Sequence, residues 1–192
     1  MNFFGFVITL SVWVMSAVAH LPVAPPKVVL VPLGKLSAEK IKATEAMVRT
    51  YVPQVRVLPL EKMPAEAYYA PRKRYRADRL ISILQKRAGD GEVYVGITEK
   101  DISTTKGKVT DWGVMGLGFK PGRGCVASTF RVKDKRNFPK VVVHELGHTM
   151  GLPHCASAGC LMQDAEGRDK LAGLNGFCSS CSRYLRGKGW KI

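Results

Sequence analysis

Histidine is scarce in this chain: there are four in 192 residues, and three of them fall between positions 144 and 154. Cysteine is also sparse, at five, too few for the disulfide framework of a small scaffold at this length. Acidic residues number 15 against 30 lysines and arginines, so the formal net charge is +15. That excess predicts solubility and attraction to anionic surfaces, and it is silent on fold. No internal repeat, low-complexity tract or interdomain linker interrupts the chain. With 46% hydrophobic and 23% charged residues, the composition argues against wholesale disorder and against a multi-pass membrane protein. The length suits one domain with a sizeable core and is tight for two.

Charged side chains are also missing from residues 1–26. Phe3 to Ala19 is an apolar run that ends in Ala17-Val18-Ala19, with His20 next and prolines at 22, 25 and 26. It reads as a secretory signal peptide, residues 1–19, cleaved after Ala19. The alternative is an uncleaved membrane anchor, because about 20 apolar residues can span a bilayer. On the first reading the mature domain is 20–192, secreted or periplasmic, and is not inserted in a membrane after cleavage.

The rest of the chain alternates strand and helix patterns. Lys27–Pro32 is a short β-branched run that reads as a buried strand, and Val55–Leu60 alternates as a second. Ser37 can cap a helix over 38–51 with Ile41, Met47, Val48 and Tyr51 on one face. A second helix is expected over about 74–88, burying Tyr75, Leu80, Ile83 and Leu84 and exposing Arg76, Arg79, Lys86 and Arg87. Val93–Ile97 reads as a third strand. Gly113–Phe119 and Val126–Val132 flank a Pro121-Gly122-Arg123-Gly124 turn and read as a hairpin. A helix over about 138–150 follows, then an irregular tail. The order β-α-β-α-β-β-β-α predicts a compact α/β domain with one mixed, twisted sheet and a small C-terminal subdomain over about 152–192.

The three clustered histidines carry the chemistry. His144-Glu145-Leu146-Gly147-His148-Thr149-Met150-Gly151-Leu152-Pro153-His154 fits H-E-x-x-H-x-x-G-x-x-H. Four residues advance a helix by about 400°, so His144 and His148 share one face and can bind one zinc. Glu145 lies on the flank of that face, within reach of a metal-bound water. Gly151 can end the helix in a left-handed conformation and Pro153 prevents its restart, so the chain turns back to present His154. Three histidines leave one zinc position open, the mark of a catalytic site. The pattern predicts peptide-bond hydrolysis, with Glu145 taking a proton from that water and passing it to the leaving amine. The plain alternative, histidines that merely happen to lie on a core helix, does not account for all five positions of the pattern.

Cys155, Cys160, Cys178 and Cys181 follow as C-x4-C-x17-C-x2-C. Cys178-x-x-Cys181 has metal-knuckle spacing, and four thiolates would close a structural zinc site, making two zinc ions per chain. Adjacent residues in an extended segment point opposite ways, so His154 and Cys155 can serve two sites. A pair of disulfides is the alternative in an oxidising compartment. Cys125 reads as a buried free thiol.

Together, the histidine pattern, Cys155, Cys160, Met162, Cys178 and Cys181 resemble the archaemetzincin branch of the metzincin metalloproteases. The likeness extends upstream through residues 94–102 and 113–117. It implies that His144, His148 and His154 bind catalytic zinc, that Glu145 is the general base, and that the four cysteines hold a second zinc. It also implies that Met162 forms the turn beneath the metal. Residues about 114–119, with Gly116, Leu117 and Gly118 at their centre, resemble the edge strand that pairs with extended substrate.

The partner expected is a peptide or protein substrate. The basic run Arg72-Lys73-Arg74-Tyr75-Arg76, and Arg183, Arg186, Lys188 and Lys191, could meet acidic substrates or anionic polymers; nucleic acid is not expected. Two alternative functions follow from the same residues: an inactive zinc-binding module, and a basic polyanion-binding protein.

Overall fold

A computed structural model describes residues 23–165 and 168–192. The expected signal peptide, residues 1–19, and His20 lie outside the described residues. Among the described residues no helix is long and apolar enough to cross a membrane. In chain order the elements are β1 (Lys27–Leu33), α1 (Ala38–Tyr51), β2 (Val55–Val57), β3 (Tyr68–Tyr69), β4 (Arg74–Arg76), α2 (Ala77–Gln85), β5 (Glu92–Thr98), β6 (Ile102–Lys106), β7 (Val109–Val114), β8 (Gly116–Gly118), β9 (Gly124–Ser128), α3 (Phe138–Thr149) and α4 (Ser179–Arg186).

The main sheet has the order β2-β1-β5-β9-β8. Its first four strands are parallel and β8 is antiparallel to β9, so the sheet is mixed, as expected. The parallel strands are apolar along their length because helices cover both faces. Val28 and Leu30 face a core shared with Val48 of α1 and Val142 of α3. Val29 and Val31 alternate onto the opposite face, against Leu80, Ile81 and Leu84 of α2. Helix α3 therefore packs on one face of the sheet, with β8 as the sheet's outer edge beside it.

Several boundaries differ from the sequence reading. The second strand stops at Val57. The hairpin forms in shortened form as β8 and β9, and β6 with β7 makes a further antiparallel pair that the sequence reading did not contain. The helix expected over 74–88 begins at Ala77, and residues 74–76 are a strand of a second small sheet, β3-β4-β6-β7. Arg76 is consequently buried rather than exposed, with its guanidinium donating to the Thr110 carbonyl and, at 2.9 Å, to Thr105 Oγ1. Arg74 pairs with Asp101 at 3.1 Å and Asp111 at 3.2 Å. Two members of the basic run are thus committed inside the fold. Ile81 takes the buried place expected of Ile83, which is only half-buried. The tail is irregular only as far as Cys178, which caps α4 at its start, Ser179.

Candidate active site

Helix α3 enters the core through Val141, Val142 and Val143, all nearly inaccessible. That anchoring fixes the azimuth of the residues that follow. Gly151, at φ +103°, closes the helix: the Leu152 N–H donates to the Gly147 carbonyl at 3.1 Å and the Gly151 N–H to the His148 carbonyl at 2.8 Å. This pair of bonds is a Schellman turn, which satisfies carbonyls at the helix end and redirects the chain. His154 arrives three residues later. The imidazole centroids of His144, His148 and His154 lie 4.7, 5.3 and 4.9 Å apart in pairs, and one ligand nitrogen from each falls within 4.8 Å of the others.

What orients the rings is main chain. His144 Nδ1 lies 2.6 Å from the Leu161 carbonyl and His148 Nδ1 lies 2.7 Å from the Leu152 carbonyl. A carbonyl only accepts, so both Nδ1 atoms carry hydrogen and each Nε2 keeps a free lone pair. His154 Nδ1 meets Asp164 Oδ2 at 3.2 Å. These are the partners that commonly fix ring and tautomer in a metal-binding histidine. Burial, then the neighbouring His148, pushes the His144 pKa down to about 4, which keeps the ring in its neutral, ligating form. Burial likewise lowers His148.

Glu145 is buried on the flank of these rings, and burial raises its pKa to about 8. Met162 is fully inaccessible, with its Sδ packed where a side chain on Gly147 would have to stand. Met162 thus lies directly beneath the histidine helix, and Leu161 beside it supplies the carbonyl that holds His144. Sequence reasoning found the histidines, Glu145 and Met162. It missed Asp164, Gly147 and the two carbonyls, because main-chain acceptors leave no mark in residue type. Asp164 is one unremarkable acid of 15.

The four C-terminal cysteines converge in a second cluster, of which Cys155 directly follows His154. No disulfide joins the described cysteines, and the four Sγ atoms lie within 4.8 Å of one another. Cys155 and Cys178 Sγ are 3.7 Å apart, close to the about 3.8 Å expected for two thiolates on one tetrahedral zinc. Cys178 caps α4 and Cys181 sits in its first turn, where burial first, and the neighbouring Cys178 next, push the Cys181 thiol well above its usual pKa. The Ser180 hydroxyl first, and the Cys181 amide next, bring Cys178 down to about 5. Loop 155–178 is tied by the bonds Cys155 N to Met162 O and Leu161 N to Gly176 O, at 2.8 and 2.7 Å. Cys125 is fully buried and apart from this group, as expected.

Three imidazoles converging beside a buried carboxyl group have the donor set of a metallopeptidase site. Residues 49–187 match peptidase family M54. The chain is 34% identical to an archaemetzincin of Haloquadratum walsbyi over 81% of its length and 97% of that protein's. It is 32% identical to one of Haloarcula marismortui, with the same coverage. Among solved structures, archaemetzincin from Methanopyrus kandleri superposes with a TM-score of 0.71 at 26% identity, covering 85% of this chain and 95% of that one. Archaemetzincin from Archaeoglobus fulgidus shares the fold, with a TM-score of 0.65 at 24% identity over 82% of this chain and 99% of that one. The chain belongs to peptidase family M54, the archaemetzincins.

Proposed function

We propose that His144, His148 and His154 hold a catalytic zinc ion, that Glu145 is the general base of peptide-bond hydrolysis, and that Cys155, Cys160, Cys178 and Cys181 hold a second, structural zinc. The observation that carries the reading is the three imidazoles, their Nδ1 atoms tied off by Leu161, Leu152 and Asp164, facing one another beside a buried carboxyl group. Three imidazole nitrogen donors suit zinc and would leave one of its positions to be filled from outside the protein. When bound, zinc supplies a Lewis acid that polarises a carbonyl and acidifies coordinated water.

The chain's own residues do the rest. Glu145 accepts a proton from water and hands it to the leaving amine. Gly116, Leu117 and Gly118 form the open edge of the sheet, where an extended peptide substrate adds as a further strand. The cysteine site pins the segment that delivers His154. The uncharged apolar run of residues 1–19 supports export, for which the expected mature amino terminus is His20. The exposed Arg183, Arg186, Lys188 and Lys191 support contact with acidic substrates or anionic polymers.

The test is hydrolysis of a diverse peptide library by zinc-loaded protein. Glu145→Ala should lower turnover by about two to four orders of magnitude with zinc content unchanged. Wild-type protein that binds zinc and cleaves nothing would instead be an inactive module. Polyanion binding that depends steeply on salt and ignores chelators would favour the third reading.

A further inference from the structure

β8 faces α3 with no side chain at all. Leu117 points to the opposite face, into the core beneath α2. Its neighbours Gly116 and Gly118 are the residues turned toward the active-site helix. A Cβ at Gly116 would stand 2.5 Å from Glu145 Oε1 and 2.7 Å from its Cγ; one at Gly118 would stand 2.7 Å from the Glu145 carbonyl oxygen and 3.2 Å from His148 Cβ. Neither φ is in the left-handed region, so backbone conformation does not call for glycine at these positions. Space does.

The same glycines bear the open edge. Ser128 N–H donates to the Met115 carbonyl at 2.7 Å, which turns the polar groups of Met115 and Leu117 toward β9. By the alternation of an antiparallel ladder, those of Gly116 and Gly118 turn outward. A strand added there lies about 4.8 Å from the main chain against which Glu145 rests.

We propose that Gly116 is a positioning residue for Glu145: by withholding a side chain it lets the carboxylate lie against the docking strand, beside the peptide bond that this strand receives. The inference rests on Glu145 being the base. The atoms that a Gly116 Cβ would meet belong to the Glu145 side chain, so Gly116→Ala displaces the carboxylate and leaves the backbone and the three imidazoles in place.

The experiment is a double-mutant cycle on full-length, zinc-loaded protein. Gly116→Ala should lower kcat about a hundredfold, the scale of an ångström-sized misplacement, with KM and zinc content unchanged. In a Glu145→Asp background the alanine should cost less, because the Oε1 contact at 2.5 Å is gone while the contact at Cγ remains. A crystal structure of Gly116→Ala should show the Glu145 carboxylate moved and the histidines unmoved. Gly173→Ala, which meets nothing within 4 Å, should keep full activity. Wild-type kcat in Gly116→Ala, an equal loss in both backgrounds, or an unmoved carboxylate overturns the proposal; should the Glu145→Asp background be too slow to assay, the crystal structure decides. Activity surviving in Glu145→Ala would sink the base itself, a separate result.

Discussion

His154 and Cys155 are consecutive residues whose side chains belong to different clusters: the imidazole packs 4.9 Å from that of His148, while the thiol lies 3.7 Å from Cys178 Sγ. The main chain between them is held at the Cys155 N–H by the Met162 carbonyl. Whatever loosens one cluster acts on the other through a single peptide bond.

On the proposed two-zinc reading, Cys178→Ser should therefore do more than remove one zinc. Metal analysis is expected to fall from two ions per chain to one, and the remaining ion should be lost to a competing chelator about tenfold more readily, because His154 is no longer pinned. Thiol titration should find the four cluster thiols protected along with buried Cys125 in the parent protein, and cluster thiols exposed in the variant. Unchanged retention by the histidine site would separate the two clusters.

Asp164→Asn probes the partner of His154. The ring loses a charged acceptor at 3.2 Å, and zinc affinity should fall about 10–100-fold. Since no group of the cleft itself is removed, saturating zinc should restore turnover. A turnover deficit that persists at saturation would mean Asp164 has a role beyond the ring.

Met162→Ala opens a cavity under Gly147 and should cost about 2–5 kcal/mol in urea unfolding. Met162→Leu keeps the volume and should cost less than about 1.5 kcal/mol. A similar loss for both would point to the sulfur rather than to packing.

Cys125 supplies a pH dependence with a definite sign. Burial first, then the Glu145 charge, raises its pKa well above normal, so the native thiol stays protonated. The unfolded thiol ionises near about 8.5 and binds fewer protons above that pH. Stability is thus fully present below the unfolded value and declines as pH rises past it, by at most about 1.4 kcal/mol per unit. Cys125→Ala should flatten this part of the alkaline decline. The native thiol should also resist alkylation until the protein unfolds.

What could be read from the sequence was what local spacing dictates. The i, i+4 histidines, the Gly151 stop and the opposed directions of His154 and Cys155 each follow from backbone geometry over a few residues, and each is found. The second sheet was illegible because its strands are short and polar: Arg74-Tyr75-Arg76 carries no apolar alternation, and it becomes a strand only because Asp101, Thr105, Thr110 and Asp111 arrive to receive its guanidiniums. Long-range partners of this kind are absent from any window of sequence. The same holds for the Leu161 and Leu152 carbonyls that aim the histidines. The start of α4 was hidden for a different reason: Ser179-Ser180 reads as loop, and the helix forms where Cys181, Ser182 and Leu185 find cover.

An uncovered sheet margin is open to self-association, since a neighbouring copy offers strands of its own. β8 limits that hazard by being three residues long and two-thirds glycine, a poor template for growing ribbons. Brevity here serves colloidal stability, and a mutation that lengthened or stiffened this margin would invite fibres before it improved capture.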